Sequence, residues 1–301
     1  SILAADLARQ DFSLLRFYDR RVRRIVPAYA VMAVITMLAA LVLLPPDMVT
    51  RFGGALSAAS VFQANWHFLA TANYFAPGAE EHLILHTWSL AVEEQFYLVW
   101  PLALLVLAHP RLKRVRPVAI FVLLAVSLVV ASRTAVLWPE RAFYRSFPRV
   151  WELLMGAVLA LGLLPRLSSQ RMAEGLAALG LALILGAAFF YDTHTTIFPG
   201  AAALLPTGGA LLLIWAGEDG RITRVGQFLS WPVWVGIGLI SYSLYLWHWP
   251  IFALAKLTVL PSPGPVALVG LIAAAFGAGW LSWRYVEGPF RRYGPASPSA
   301  E

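Results

Sequence analysis

The side chains best suited to chemistry lie in one stretch, His86-Thr87-Trp88-Ser89-Leu90-Ala91-Val92-Glu93-Glu94-Gln95-Phe96-Tyr97-Leu98-Val99-Trp100-Pro101. Its pattern is that of an apolar helix, yet it carries two adjacent glutamates, a glutamine and a leading histidine. At about 100° per residue, His86, Glu93, Tyr97 and Trp100 fall on one stripe, with Ser89 and Leu90 at its edges. Glu94 lies on the flank and Gln95 opposite, so more than one neighbouring segment has to receive them. A histidine and a carboxylate on one face suit a general base and its orienting partner for a hydroxyl nucleophile. His86, Glu93, Glu94 and Tyr97 are therefore the candidate catalytic residues. The structural alternative is a polar knot that locks helices together. So many polar groups in one apolar span favour a reaction site, because each costs several kcal/mol if it faces lipid.

Three other clusters could bind ligands. Five arginines lie between Arg16 and Arg24, flanked by Phe17 and Tyr18. They either mark a cytoplasmic membrane edge or hold phosphates of a nucleotide-like donor by charge-assisted contacts. In Ser241-Tyr242-Ser243-Leu244-Tyr245-Leu246-Trp247-His248-Trp249-Pro250, residues Ser241, Tyr245, His248 and Phe252 share one helical face. That face is either an aromatic-belt anchor or a pocket wall offering hydrogen bonds to a sugar or acyl group. Arg149 and Glu152 stand at i,i+3, where they neutralise each other or join the site. Ser89, Arg149, Glu152, Tyr245 and His248 are thus the substrate-binding candidates. His82 and His86 could begin a metal pair, but nothing supplies a third ligand, and no metal is expected. No GxGxxG, GxxxxGK[ST] or HExxH occurs.

The elements that position these residues are apolar. Of 301 residues, 59% are apolar and 13% charged, and mean hydropathy is +0.70. Soluble domains carry about a quarter charged residues, so this composition is that of a polytopic membrane protein. The net charge of +7 is almost all arginine, with Lys113 and Lys256 the only lysines. The positive-inside rule accounts for it, and no nucleic-acid partner is expected. With no cysteine, disulfides and thiolate metal sites are excluded. Ser1–Ala5 lacks the basic start of a signal peptide and reads as the end of an apolar segment.

Apolar runs near residues 26–44, 87–108, 117–132, 149–164, 173–191, 199–216, 233–255 and 264–286 predict about eight spanning helices. The first opens at Val26-Pro27, since proline suits a first turn. If Arg20–Arg24 and Arg111–Arg116 are both cytoplasmic, the weakly apolar run at 53–70 is re-entrant or interfacial. Arg133, Arg141, Arg145 and Arg149 then lie at the outer side and need specific partners. The fold class is all-α, a polytopic membrane helical bundle. Residues 1–25 form a cytoplasmic basic segment, 26–290 the membrane domain and 291–301 a Pro/Ser tail.

Taken together, the motifs resemble the acyltransferase-3 family of bacterial integral-membrane O-acyltransferases. The matching stretches are Phe17-Tyr18-Asp19-Arg20-Arg21-Val22-Arg23-Arg24-Ile25-Val26-Pro27, His86 to Tyr97, Arg149-Val150-Trp151-Glu152-Leu153, Ser241 to Pro250 and Tyr285-Val286-Glu287-Gly288-Pro289. They follow the family's order and cover nearly the whole chain. The resemblance implies transfer of an acyl group, usually acetyl, from acyl-CoA at the cytoplasmic face. The acceptor would be a hydroxyl of an extracytoplasmic glycan such as peptidoglycan, lipopolysaccharide or exopolysaccharide, and the location the bacterial inner membrane. Acyl-CoA would be a co-substrate, with no permanently bound cofactor. Arg20, Arg21 and Arg24 would be CoA-side residues, and Glu93, Glu94 and Tyr97 core-site residues. The family pattern opens with two helices, the first bearing an arginine followed eleven positions later by a histidine. No histidine in this sequence has an arginine at that spacing, and Ser1 falls near the end of the second helix. The second reading is a transporter of a small solute or lipid-linked sugar that uses the same carboxylates for protons; transporters often show inverted repeats, none is found, and CoA binding discriminates the two. A non-catalytic scaffold that keeps the fold is the third reading.

Overall fold

Ser13 starts the first helix: its hydroxyl accepts from the Arg16 amide at 3.3 Å, satisfying one of the free donors of a helix N-terminus. The computed structural model describes residues 12–71, 78, 81–112, 114–192, 195–259 and 262–292. The expected features at Ser1–Ala5, at Lys113 and in the tail after Arg292 lie outside these residues. The helices are α1 (Leu14–Leu43), α2 (Pro46–Ser60), α3 (Ala64–Thr71), α4 (Thr87–Leu107), α5 (Arg116–Leu137), α6 (Pro139–Tyr144) and α7 (Val150–Ala160). They continue with α8 (Gln170–Phe190), α9 (Leu204–Ala216), α10 (Arg224–Leu229), α11 (Pro232–Thr258), α12 (Pro265–Ser282) and α13 (Gly288–Arg292). The described residues hold no strand.

Six of the helices, α1, α4, α5, α8, α11 and α12 with the turn after it, are long and apolar enough to cross a bilayer. This is a multi-pass all-α membrane protein. Two runs expected to span are shorter here: residues 149–164 give the 11-residue α7, and 199–216 give a short 3₁₀ turn followed by α9. The run at 53–70 breaks at Phe62, whose φ is +54°, into α2 and α3, each too short to cross.

The start of α1 corrects the expectation. Pro27 lies inside the helix, which runs back through the whole arginine cluster to Leu14. The Ser13 cap and the Arg23–Asp19 pair at 2.8 Å support that extra length. Proline removes only one backbone bond, to the carbonyl four residues earlier.

The chain divides into two units, one built from Val92–Val235 and one from Ser13–Ala91 with Gly236 onwards. In the first unit, Trp100, Leu104, Ile120, Leu154 and Val158 form a buried core, with Phe96 stacked on Trp100 at 5.3 Å. Buried Ser127 donates to the Phe147 carbonyl at 2.6 Å and accepts from the Trp151 amide at 3.0 Å. One hydroxyl thereby fixes where α7 begins. Helices α8 and α9 meet backbone to backbone: a Cβ on Gly180 would lie 2.6 Å from the Gly209 carbonyl, and one on Gly209 equally close to the Gly180 carbonyl. Small residues permit such contact where lipid tails give no hydrophobic drive to associate.

In the second unit, Tyr242 donates to the Ile25 carbonyl at 2.8 Å, tying α11 to α1. Helix α12 touches α11 at Gly279, where a Cβ would stand 2.9 Å from the Leu244 Cα. A π-helical turn, Trp283–Glu287, then leads into α13. It carries the Glu287 carboxylate, buried at 1% exposure, to the Ser243 hydroxyl at 3.0 Å and Arg291 at 3.1 Å.

Gly180→Ala is expected to destabilise the protein by about 1–3 kcal/mol through overpacking. Gly156→Ala, which meets no atom within 4 Å, should be neutral or better. Thermal unfolding of the two variants in one detergent checks the difference.

Candidate active site

Two sequence clusters read separately above meet in the second unit. Residues 81–86 form tight turns, and the Thr87 hydroxyl donates to the Ile84 carbonyl at 2.7 Å where α4 begins. Helix α11 grips this approach at two points one turn apart. The Tyr245 hydroxyl donates to the His86 carbonyl, and the Trp249 indole N–H donates to the His82 carbonyl at 2.8 Å. Because Tyr245 spends its proton on His86, the Ser89 hydroxyl is the donor in the 2.8 Å bond between Ser89 and Tyr245. His248 Nδ1 lies 2.7 Å from the Tyr245 carbonyl. A carbonyl only accepts, so Nδ1 carries a proton.

His86 stands inside this cluster at 5% exposure. Its ring lies 5.0 Å from Tyr245 and 5.4 Å from His248, and is stacked at 6.2 Å on Trp249. Neither ring nitrogen makes a hydrogen bond of full geometry, the Leu246 backbone supplying a poorly aligned one. Burial first, and the His248 charge second, hold the imidazole well below its ordinary value. His82 is pulled down mainly by burial as well, with His67 adding to it. A buried polar group left unmatched costs about 1–3 kcal/mol and is the kind of exception that marks function. An imidazole held neutral in this way keeps a ring nitrogen able to accept a hydrogen bond from a ligand.

The other expected residues are distributed as follows. Ser89, Tyr245 and His248 join His86. Glu93, Glu94 and Tyr97 lie half-buried on the part of α4 that belongs to the first unit. Gln95 accepts from the Ser146 hydroxyl, which supplies the separate partner its position required. Arg149 pairs with Glu152 at 3.0 Å, and its guanidinium lies over Phe198 at 5.6 Å and Phe143 at 6.0 Å. The Arg141 guanidinium likewise lies over the Trp138 ring at 5.4 Å. Glu152 Oε1 stays buried without a partner, an acceptor suited to a hydroxyl. Arg20 and Arg24 are exposed on one face of α1, while Arg21 is half-buried on another. Among the described residues, no three His, Asp or Glu side chains gather as a metal requires.

Sequence reasoning missed Trp249, Ser243 and Glu287. Trp249 stands one turn after Tyr245, matching the spacing of His82 and His86, and that double i,i+4 pattern was the available signal. Glu287 lies in a matched motif, but its burial depends on a π turn that the apolar pattern does not show. Ser241, expected on the pocket face, is exposed, and Ser243 takes the buried position.

This geometry sits in a chain that matches a known family. The acyltransferase domain family (Acyl_transf_3) matches residues 2–284, so the chain belongs to that family of acyltransferases. It is 29% identical over 95% of its length to the peptidoglycan O-acetyltransferase OatA of Listeria monocytogenes, covering 47% of that protein. It is 28% identical over 98% of its length to the O-acetyltransferase OatA of Staphylococcus aureus, covering 50% of it. The chain thus spans about half the length of these two relatives. An uncharacterized protein of Haemophilus influenzae is 33% identical over 73% of the chain, which covers 94% of that protein. No solved structure matches.

Two outcomes are expected. Tyr245→Phe removes the donor to His86 and the acceptor of Ser89, and should lower stability by about 1–3 kcal/mol, read by thermal unfolding. The unfolded chain binds a proton at His86 near pH 6.5 and the folded chain does not. Stability should therefore be fully present above that pH and fall as pH drops below it. In His86→Gln the acid-side slope should be shallower, with His82 and His67, also lowered by burial, supplying the remainder.

Proposed function

We propose that this protein is a membrane-bound O-acyltransferase that moves an acyl group, acetyl by its likeness to the O-acetyltransferases, from acyl-CoA to a hydroxyl of an extracytoplasmic glycan. Peptidoglycan, lipopolysaccharide and exopolysaccharide are the acceptor classes, and the bacterial inner membrane is the location. The observation that carries this reading is the buried, neutral His86, whose ring nitrogens make no hydrogen bond of full geometry, in a chain of the acyltransferase family.

In the proposed reaction a base takes the proton of the glycan hydroxyl, and its oxygen attacks the thioester carbonyl. The C–S bond breaks, the CoA thiolate leaves with the proton, and an O-ester remains on the glycan. His86 is the proposed base, positioned by Tyr245 through its own carbonyl. Glu93, Glu94 and Tyr97 are the further proposed catalytic residues, for proton transfer and for donating to the developing oxyanion. Ser89 and His248 Nε2 of the second unit can hydrogen-bond the acceptor sugar; Arg149 and Glu152 are the proposed substrate-binding residues of the first unit. Arg20 and Arg24, exposed and one turn apart, suit two phosphates of CoA, with Arg21 beside them. Residues 1–25 are then the cytoplasmic donor side and 26–290 the membrane domain.

The test follows labelled acetyl from acetyl-CoA into extracytoplasmic glycan in membranes carrying the protein. Transfer is expected, with a fall of about 10²-fold or more in Glu93→Gln and in His86→Gln at unchanged protein level. Absence of both transfer and CoA binding would overturn the reading in favour of a proton-coupled transporter.

A further inference from the structure

Three polar side chains that the transfer chemistry leaves unused converge where α2 meets the turn leading to His86. Arg51 comes from α2, and Glu81 and His82 come from the turn. With Met48, Phe52 and Leu83 they line a small cavity. Its volume of about 20 Å³ admits one water-sized oxygen, so a larger ligand seats a single hydroxyl there and lies over the rim. The rim is wet: both side chains of the Arg51–Asp47 pair are 62% exposed, and Glu81 is exposed as well. Charges so placed do not face hydrocarbon. The floor is apolar, with Phe52 and Leu83 buried.

The polar groups differ in what they offer. Arg51 gives one nitrogen to Asp47 at 2.9 Å, and a guanidinium has further donors to spare. The Glu81 carboxylate only accepts. His82 has Arg51, Glu81 and His67 as its charged or titratable neighbours, and its ring meets Phe68 edge to face at 5.6 Å. Burial lowers both His82 and His67 from the ordinary histidine value, so both are uncharged at neutral pH. Each ring then has one donor and one acceptor. With Arg51 matched by Asp47 and the histidines neutral, these groups carry no net positive charge. A phosphate or carboxylate ligand finds no counter-charge among them. A hydroxyl, which both donates and accepts, finds both kinds of partner above an apolar floor.

Helix α11 sets the distance from this cavity to His86. Tyr245 holds the His86 carbonyl and Trp249 the His82 carbonyl, four residues apart on one helix, or about 6 Å along its axis. That step is comparable with the length of one sugar ring. α1 carries its arginines near one end and closes at Leu43, and α2 opens at Pro46. The cavity therefore stands at the end of α1 opposite the guanidiniums. We propose that Arg51, Glu81 and His82 form a saccharide subsite, which binds a hydroxyl of an uncharged sugar next to the one presented to His86. The subsite rests on the transferase reading for its acceptor and adds to it a substrate class, a glycan whose neighbouring residue is uncharged.

The test titrates the purified protein in nanodiscs with two uncharged probes, chitotetraose and cellotetraose, and with the anionic tetragalacturonate, by calorimetry. Saturable binding of at least one uncharged probe is expected. It should weaken about tenfold in Glu81→Gln and in Arg51→Ala, the loss of a hydrogen bond to a charged group. Thermal unfolding of both variants should match the parent protein, because an exposed i,i+4 pair contributes little. Acetyl transfer to glycan is read in parallel, and Glu81→Gln should raise the KM for glycan about tenfold. Binding of an uncharged probe without transfer would uphold the subsite and overturn the transferase reading. Transfer with no binding of either uncharged probe would overturn the subsite and leave the transferase reading standing. Preference for tetragalacturonate, or undiminished binding by both variants, would also overturn the subsite.

Discussion

A helix inside a bilayer satisfies its own backbone, but the turns that lead into it do so only in part. In the second unit the carbonyls of His82 and His86 each accept one bond within the turn, from the Leu85 and Ser89 amides at 3.1 and 3.2 Å, and each keeps a second lone pair for a partner. Helix α11 fills those second positions with the two side chains that combine a large apolar body and a polar tip, Tyr245 and Trp249. Because the tips are spent on carbonyls, the aromatic bodies are fixed around the His86 ring. The polar cluster and the packing of α11 are therefore one device. Satisfying the turn is what immobilises the imidazole, and the imidazole itself receives no hydrogen bond of full geometry in exchange.

Much of this was legible in the sequence, because apolar runs and arginine loops are strong signals in a chain with so few charges. The all-α membrane class and the Arg149–Glu152 pair follow from apolar runs and from spacing on one helix, whereas spacing could not show that His86 and Ser89 meet Tyr245 and His248 on another. What was not legible has identifiable causes. Pro27 was read as a first-turn residue, and a serine cap thirteen residues into the chain carried the helix past it. Two runs with enough apolar residues to cross are divided by turns, so composition overstated their helical length. Glu287 was hidden because a π turn shifts its direction relative to a regular helix. Periodicity arguments assume a constant rise, and they fail where that assumption does.

Both units combine close backbone contacts, at Gly180–Gly209 and at Gly279, with side chains that reach across to backbone atoms. In the first, α8 and α9 approach at paired glycines, and Ser127 fixes a loop to a helix with a single hydroxyl. In the second, long side chains cross between helices to backbone atoms: Tyr242 to Ile25, Tyr245 to His86 and Trp249 to His82. Backbone contact between small residues allows little adjustment. Side-chain tethers can lengthen or swing, and they surround the group proposed to exchange protons.

Pro27 gives α1 a mechanical property as well as a boundary. Without an N–H, it leaves the Arg23 carbonyl lacking its usual intrahelical donor. Tyr242 meanwhile holds the neighbouring Ile25 carbonyl from the side. The softest point of this 30-residue rod thus falls between its guanidinium-bearing end and its bilayer-crossing end. α1 behaves as two stiff arms joined by a compliant, externally braced joint. A tug on the short guanidinium-bearing arm would be taken up there as bending before it could slide the long arm along its axis.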